Sequence, residues 1–251
     1  DMASQKNEMK KFGLVGKNID YSFSRGYFAD KFKKNGLLDC RYENYDLKEI
    51  KGIISVFKTH GLNGLNVTIP YKKEVLPFLD KLSSQSKKIG AVNTIAFNKN
   101  GETTGHNTDA HGFQKSLLEI TEKLPVSALI LGTGGASAAI AFALETLNIQ
   151  FNLVSRNPEK DQLSYEAIDT EILKNNQLII NTSPVGTFPN TDKCPSIPYN
   201  ELNGSHTLFD LIYNPLETLF LRKGKEMGCT VSNGLKMLEY QAEKSWEIWN
   251  E

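Results

Sequence analysis

The run Leu129-Ile-Leu-Gly-Thr-Gly-Gly-Ala-Ser137 has the residue types and spacing to hold a pyrophosphate. An apolar strand enters it, and a helix-forming run, Ala138 to Leu147, leaves it. Gly132 permits a tight turn and Gly134 lets backbone approach phosphate oxygens. Gly135, Ala136 and Ser137 complete the turn, and the helix that follows aims its free N–H groups at the negative charge. Ser137 is small but is not the third glycine of the usual pattern, and a glycine pattern alone is weak evidence, so a bare tight turn is the competing reading. The next strand-to-helix turn reads Leu153-Val-Ser-Arg-Asn157. A carboxylate would stand there to bind the ribose hydroxyls of NAD; here Arg156 occupies the region, with Lys160 nearby. A guanidinium grips a 2′-phosphate that a carboxylate would repel. The spacing points to NADP, against the alternative of an ordinary surface arginine.

A second set of polar groups lies earlier. Tyr21-Ser-Phe-Ser-Arg25, Asn66-Val-Thr-Ile-Pro-Tyr-Lys72, Gly90-Ala-Val-Asn-Thr94 and Gly105-His-Asn-Thr-Asp109 each place hydroxyl, amide or ionisable side chains at an expected strand end or turn. Such ends carry ligands in α/β folds.

The elements that must position these groups alternate. Strands are expected at 11–16, 40–45, 65–69 and 91–97, the last pairing with 102–105 across the turn Asn98-Lys-Asn-Gly101. Ser24 is the expected N-cap of a helix presenting Tyr27, Phe28 and Phe32. Ile50, Ile53, Ile54 and Phe57 follow helical spacing, and a short helix is expected over 75–79. Asp109 opens a helix with Phe113, Leu117 and Leu118. From 128 onward strands at 128–131, 151–154, 178–181, 207–210 and 230–232 are separated by crossovers, which argues for a parallel sheet. A final helix, 235–249, is expected to return to the first half. The expected fold class is α/β with two domains, 1–109 plus 234–251 and 110–233.

The 251 residues suffice for two modest cores. Lys plus Arg and Asp plus Glu balance at 29 each, which argues against nucleic acid or an anionic membrane as partner. The basic runs 31–34 and Lys87–Lys88 read as solvated helix faces. Cys40, Cys194 and Cys229 have no metal or CxxC spacing and read as free thiols in a reducing compartment. His60, His106, His111 and His206 show no metal spacing either, so no metal site is expected. No apolar run is long enough to span a bilayer, and a cytoplasmic location is expected. Asp1–Glu8 reads as an expression remnant or frayed end. The sequons at Asn66, Asn181 and Asn203 read as chance.

Eight motifs occur in order: the pair Ser22 and Ser24, NVTxPxK at 66–72, GAVNT at 90–94, NTD at 107–109, the glycine turn, NTSPVG at 181–186, DLIYNPLET at 210–218 and NGLxMLxxQA at 233–242. Together they resemble the shikimate dehydrogenase family over nearly the whole chain. The resemblance implies reversible, NADPH-dependent reduction of 3-dehydroshikimate to shikimate, a step of aromatic amino-acid and chorismate biosynthesis. It implies a substrate domain, a Rossmann-like NADP domain and a cleft between them. Lys72 falls at the catalytic lysine and Asp109 at its partner. Ser22 and Ser24 match the pair that binds the substrate carboxylate; Thr68, Asn93 and Gln241 match groups that bind ring hydroxyls, with Tyr213 facing substrate. Asn181 to Pro184, with Thr182 and Ser183 between them, and Gly234 fall near the nicotinamide. Ser155 stands where asparagine is usual, Tyr21 where histidine is common and Gly26 where proline is frequent. Outside the family, Lys72 reads as a solvated lysine and Asp109 as a helix cap. The alternatives are a quinate/shikimate dehydrogenase of broader substrate or cofactor range and a non-catalytic NADP-binding regulator. The expected partner is a small-molecule substrate, with the protein a monomer or homodimer.

Overall fold

Two six-stranded sheets organise the chain. The structure is a computed structural model and describes residues 8–251. Contacts gather into two units: the residues up to Thr108 together with Ala242–Glu251, and Asp109–Gln241. The expected frayed start lies, but for Glu8, outside the described residues.

The first unit holds β1 (Lys10–Gly16), α1 (Phe23–Lys34), β2 (Cys40–Asp46), α2 (Ile53–Phe57), β3 (Leu62–Val67), β4 (Lys81–Leu82), α3 (Ser84–Ile89), β5 (Thr94–Phe97) and β6 (Thr103–His106). The strand order is β2-β1-β3-β5-β6-β4. β1 is parallel to β2 and β3, whereas β5 runs antiparallel to β3 and β6. The hairpin expected around Asn98–Gly101 is present; Asn98 Oδ1 accepts from the N–H groups of Asn100 and Glu102, and Gly101 has φ +79°. Only glycine adopts that conformation readily.

Four local expectations need correction. Ser22, not Ser24, is the α1 N-cap residue, and its side chain makes no cap hydrogen bond; the structure uses both hydroxyls elsewhere. The 50–57 helix breaks into a 3-10 turn, Ile50–Gly52, and the short α2, which buries Val56 and leaves Ile54 half exposed. β3 leaves the ladder before Pro70, which has no N–H to contribute, and Ile69 is exposed. Lys31 is not a solvated charge: its Nζ pairs with Glu243 at 2.7 Å and lies over the Trp246 ring.

The second unit holds α4 (Asp109–Ile120), β7 (Ser127–Leu131), α5 (Gly135–Thr146), β8 (Gln150–Ser155), β9 (Leu163–Ser164), α6 (Thr170–Asn175), β10 (Leu178–Asn181), β11 (Thr207–Asp210), α7 (Leu219–Glu226), β12 (Thr230–Ser232) and the start of α8 (Leu235–Trp249). Its strands are all parallel, in the order β12-β11-β10-β7-β8-β9. Leu129, Ile130, Leu131, Ile179 and Ile180 are fully buried, as a parallel sheet covered on both faces requires. Strand order reverses between β7 and β10, the switch point where such sheets open a crevice. α5 begins three residues before the expected start because Gly135 and Ala136 are already helical.

The last turns of α8 belong to the first unit. There Trp246 and Trp249 pack against Phe12 and Phe28, and Trp249 Nε1 donates to Ile95 O at 3.1 Å. Gly64 makes the approach possible, since a Cβ there would lie 2.4 Å from the Trp249 ring. Phe28 is fully buried and stacks on Tyr42 with centroids 4.7 Å apart. Phe28→Ala should therefore cost ~3–5 kcal/mol of unfolding free energy, read from urea midpoints at unchanged slope; a loss below about 1 kcal/mol would contradict this packing.

Candidate active site

The turn after β7 combines an unusual backbone with an open helix start. Gly132 has φ +115°, and a Cβ on it would lie 2.8 Å from Thr182 Oγ1 at the neighbouring end of β10. A side chain at 132 would thus be strained and would collide. Gly134 is the N-cap residue of α5, and no side chain caps that helix. A Cβ at Gly134 or Gly135 meets nothing within 4 Å. Ser137 is buried and donates its hydroxyl to Gly134 O at 2.7 Å, so it buttresses the turn from within.

A cavity of about 750 Å³ opens beside this turn. Its wall includes Gly132, Gly134, Ser155, Arg156, Thr182 and Ser183. These come from the ends of β7, β8 and β10, the strands around the switch point. β8 carries Arg156 there just past its last residue, and no acid follows β8 directly. Thr182 Oγ1 donates to Leu131 O at 3.0 Å, tying the β10 loop to β7. Ser183 donates through both N–H and Oγ to Asn181 Oδ1, at 3.1 and 2.7 Å. Lys160 is exposed and is not on the cavity wall. Gly234 is not on the wall either; it is buried where a Cβ would lie 1.9 Å from Leu211 O.

In the first unit the two serines stand over β2. Ser22 Oγ donates to Asn44 Oδ1 at 3.3 Å, and Asn44 Nδ2 donates to Ile19 O at 3.0 Å. Ser24 hydrogen-bonds the buried Tyr42 phenol, whose pKa burial pushes up. Asp46 accepts from the N–H groups of Asn18 and Ile19. Residues 42, 44 and 46 share one face of β2 by its period of two, so one strand face fixes the whole serine loop. Thr68 follows β3 and donates its N–H to Val15 O at 2.9 Å. Lys72 is half-buried, with its carbonyl bonded to Val92 N. Asn93 is buried; Nδ2 donates to Thr108 Oγ1 at 2.8 Å and Oδ1 accepts from Thr108 N at 2.7 Å. The structure thus brings Asn93 against the residue that precedes Asp109.

Asp109 opens α4 and is 9% exposed. Gln241 is buried on α8, whose backbone passes so close to α4 that a Cβ at Gly112 would meet Met237 O at 2.5 Å. Tyr213 is half-buried after β11, and burial raises its pKa. Lys72 and Asp109 fall in different units.

The substrate-binding domain model of shikimate dehydrogenase matches residues 14–95. An NADP(+)-linked shikimate dehydrogenase of Methanococcus maripaludis strain C6 is 38% identical over 260 residues, covering 97% of this chain and 92% of that one. The chain belongs to the shikimate dehydrogenase family. A Thermus thermophilus member, solved with NADP(H) and shikimate, superposes with TM-score 0.84 at 30% identity, covering 96% of this chain and 93% of that one. A Corynebacterium glutamicum quinate dehydrogenase, solved with NAD, superposes with TM-score 0.86 at 27% identity, covering 97% and 94%. The family's architecture, a substrate domain followed by a Rossmann-like domain, is that of the two sheets described above.

Several site residues gave no signal in the sequence. Tyr165, Glu166 and Cys194 also line the cavity beside the glycine turn, reached through β9 and long loops that no periodicity marks. Asn44 and Tyr42 hold the serines; their alternation along β2 was the available sign. Among the described residues no group of three or more His, Cys, Asp and Glu side chains could hold a metal ion. No helix among them is long and apolar enough to cross a membrane.

The open space at Gly134 is a direct test of the cradle. Gly134→Ala should shift the melting temperature by only a few degrees, as an N-cap change of about 1 kcal/mol does. It should weaken NADPH binding by roughly tenfold or more, because the new methyl occupies the anion's place. Unchanged affinity, measured by NADPH fluorescence, would remove the turn from the binding site.

Proposed function

We propose that the protein catalyses the reversible NADP(H)-linked reduction of 3-dehydroshikimate to shikimate. The carrying observation is the switch-point cavity, where an uncapped helix start faces Arg156 in a chain whose relatives are NADP(+)-linked shikimate dehydrogenases. The chemistry of the wall fits NADP(H): backbone N–H groups and the positive helix end suit the pyrophosphate, and the guanidinium suits a 2′-phosphate. When bound, the reduced nicotinamide supplies the hydride.

In this reading the first unit and the end of α8 bind substrate, and Asp109–Gln241 largely forms the dinucleotide unit. Ser22 and Ser24 hydroxyls hold the ring carboxylate. Thr68, Asn93 and Gln241 bind ring hydroxyls and Tyr213 faces the ring. As hydride reaches carbon, negative charge grows on the carbonyl oxygen. The Lys72 ammonium offsets that charge and serves proton transfer, and the Asp109 carboxylate orients it. Thr182, Ser183 and Gly234 serve the nicotinamide end; Ser155, Arg156 and Lys160 serve the 2′-phosphate, Lys160 from the exposed loop beyond the wall. The protein is read as a cytoplasmic monomer or homodimer acting on a small molecule, with no nucleic-acid partner. Its zero net charge supports the last point.

Quinate oxidation with NAD is the second reading. Glu166 on the same cavity wall favours it, since a carboxylate there could take ribose hydroxyls.

Three assays follow. Shikimate with NADP⁺ should raise absorbance at the NADPH band, with NAD⁺ or quinate well behind in kcat/KM; the reverse order would establish the second reading. Lys72→Ala should lose roughly 10²–10⁴ in kcat while still binding NADPH, and full turnover would remove Lys72 from the reaction. Arg156→Asp should lower kcat/KM for NADP⁺ by roughly 10–100-fold, the worth of a charged hydrogen bond or more, and should leave NAD⁺ little changed. Equal loss with both would show that Arg156 does not read the 2′-phosphate.

A further inference from the structure

A buried carboxylate lies behind the cavity, outside every role assigned above. Asp210, the last residue of β11, is fully buried. Its Oδ1 accepts from Ile212 N at 3.1 Å and Asn181 Nδ2 at 3.2 Å, and its Oδ2 accepts from Thr218 Oγ1 at 2.7 Å. Each donor does something further. Ile212 leads directly to Tyr213. Thr218 Oγ1 accepts from Leu221 N and so caps α7. Asn181 Nδ2 also reaches Val185 O at 3.3 Å, while its Oδ1 accepts both donors of Ser183. Ser183 and Val185 lie on the cavity wall.

The direction of the Asn181 amide follows from these partners. Its NH₂ end faces two acceptors, Asp210 and Val185 O, so its oxygen must face Ser183. The Ser183 hydroxyl then spends its proton on Asn181. Its oxygen takes only a long 3.4 Å contact from Val185 N and keeps lone-pair capacity to accept from a ligand N–H, such as a carboxamide. Without a carboxylate at 210, the Asn181 amide loses one of the two acceptors that fix its orientation, and the Ser183 hydroxyl loses its assigned direction.

We propose that Asp210 is a positioning residue for the dinucleotide: acting through Asn181, it orients Ser183 and Val185 on the cavity wall and thereby sets NADP(H) affinity. This rests on the functional reading above, which assigns the cavity to NADP(H).

The charge state gives the proposal a signature. Burial raises the Asp210 carboxyl to about 6, against the pull of Thr218, Ile212 and Asn181. No cation is among the groups that set it. Tyr199 is the titratable group whose phenol feels Asp210, and that phenol is itself pushed up, by burial first and then by a hydrogen bond to Cys194, so it stays neutral. A proton on Asp210 meets donors at Oδ1; only the Thr218 hydroxyl at Oδ2 can turn to accept it. Acidification through about 6 therefore weakens the carboxylate's hold on Asn181.

The test is NADPH titration of the full chain and of Asp210→Asn between pH 5 and 8, with thermal melts to confirm folding. The nearly isosteric amide keeps one acceptor oxygen and loses the charge. At pH 7.5 the variant should bind NADPH about tenfold more weakly, the worth of one charged hydrogen bond. That ratio should shrink to threefold or less near pH 5 (roughly, as the wild-type carboxyl protonates). Titration of the ligand's own phosphate is common to both proteins and cancels in the ratio. A ratio near one at every pH, with wild type binding NADPH, overturns this inference alone; wild type that does not bind NADPH overturns the functional reading with it. A large ratio that does not change with pH overturns the proposal in favour of general loop damage. Should Asp210→Asn fail to fold, Thr218→Val carries the test, with about threefold weaker binding expected and unchanged affinity overturning the proposal.

Discussion

An α-helix begins with N–H groups that its own backbone cannot satisfy, and at α5 no side chain supplies the missing acceptor. That open start is the constraint around which the second sheet is arranged. It goes with a left-handed glycine at 132, open space at Gly134, and a buried Ser137 holding the turn from beneath. It also requires β7 to stand at the switch point, so that the β8 and β10 loops close the cavity from either side. In the proposed function an anion completes the helix start, and Arg156 on the same cavity wall selects one carrying an additional phosphate.

Both units use buried side-chain amides to position their loops. In the first unit Asn66 Nδ2 donates to Ser245 Oγ at 3.0 Å, and its Oδ1 accepts from the Tyr42 phenol at 2.8 Å. Ser245, fully buried on α8, also meets Thr94 Oγ1 at 2.7 Å and Thr108 Oγ1 at 3.3 Å. The chain from β2 through β3 and β5 to Thr108 is thus held by neutral hydrogen bonds. Asn181 has the equivalent place in the second unit. These contacts explain why the sequons at 66 and 181 are chance: both asparagine side chains are buried and committed. The neutral network of the first unit specifies one arrangement without the desolvation cost of a buried charge, whereas in the second unit Asn181 answers the buried Asp210 carboxylate.

The sequence made some of this legible and hid the rest for physical reasons. The glycine turn, the Asn98–Gly101 hairpin and the limits of α8 follow from local chemistry: positive φ, turn side chains and helical period. The family motifs pointed to Ser22, Lys72, Asn93 and Asp109, which composition alone could not separate from a cap or a surface lysine. β4 and β9, at two residues each, are too short to show a period. Ser245 sits in a polar stretch, Glu243-Lys-Ser245, that reads as solvated surface until Trp246 and Trp249 are seen to turn that face inward. Lys31 reads as solvated for the same cause, because its partner Glu243 is 212 residues away. Asp210 has the look of an ordinary strand end; only its three donors reveal its place.

The central claim is that hydride passes between the substrate's carbinol carbon and a phosphorylated nicotinamide cofactor. Shikimate carrying deuterium on the carbon that becomes the ketone tests it most directly, with mass spectrometry of the cofactor recovered after incubation with NADP⁺. The account predicts NADPH bearing one deuterium, formed in step with 3-dehydroshikimate. NADPH without deuterium, or no reduced cofactor from folded protein that binds both ligands, would contradict it.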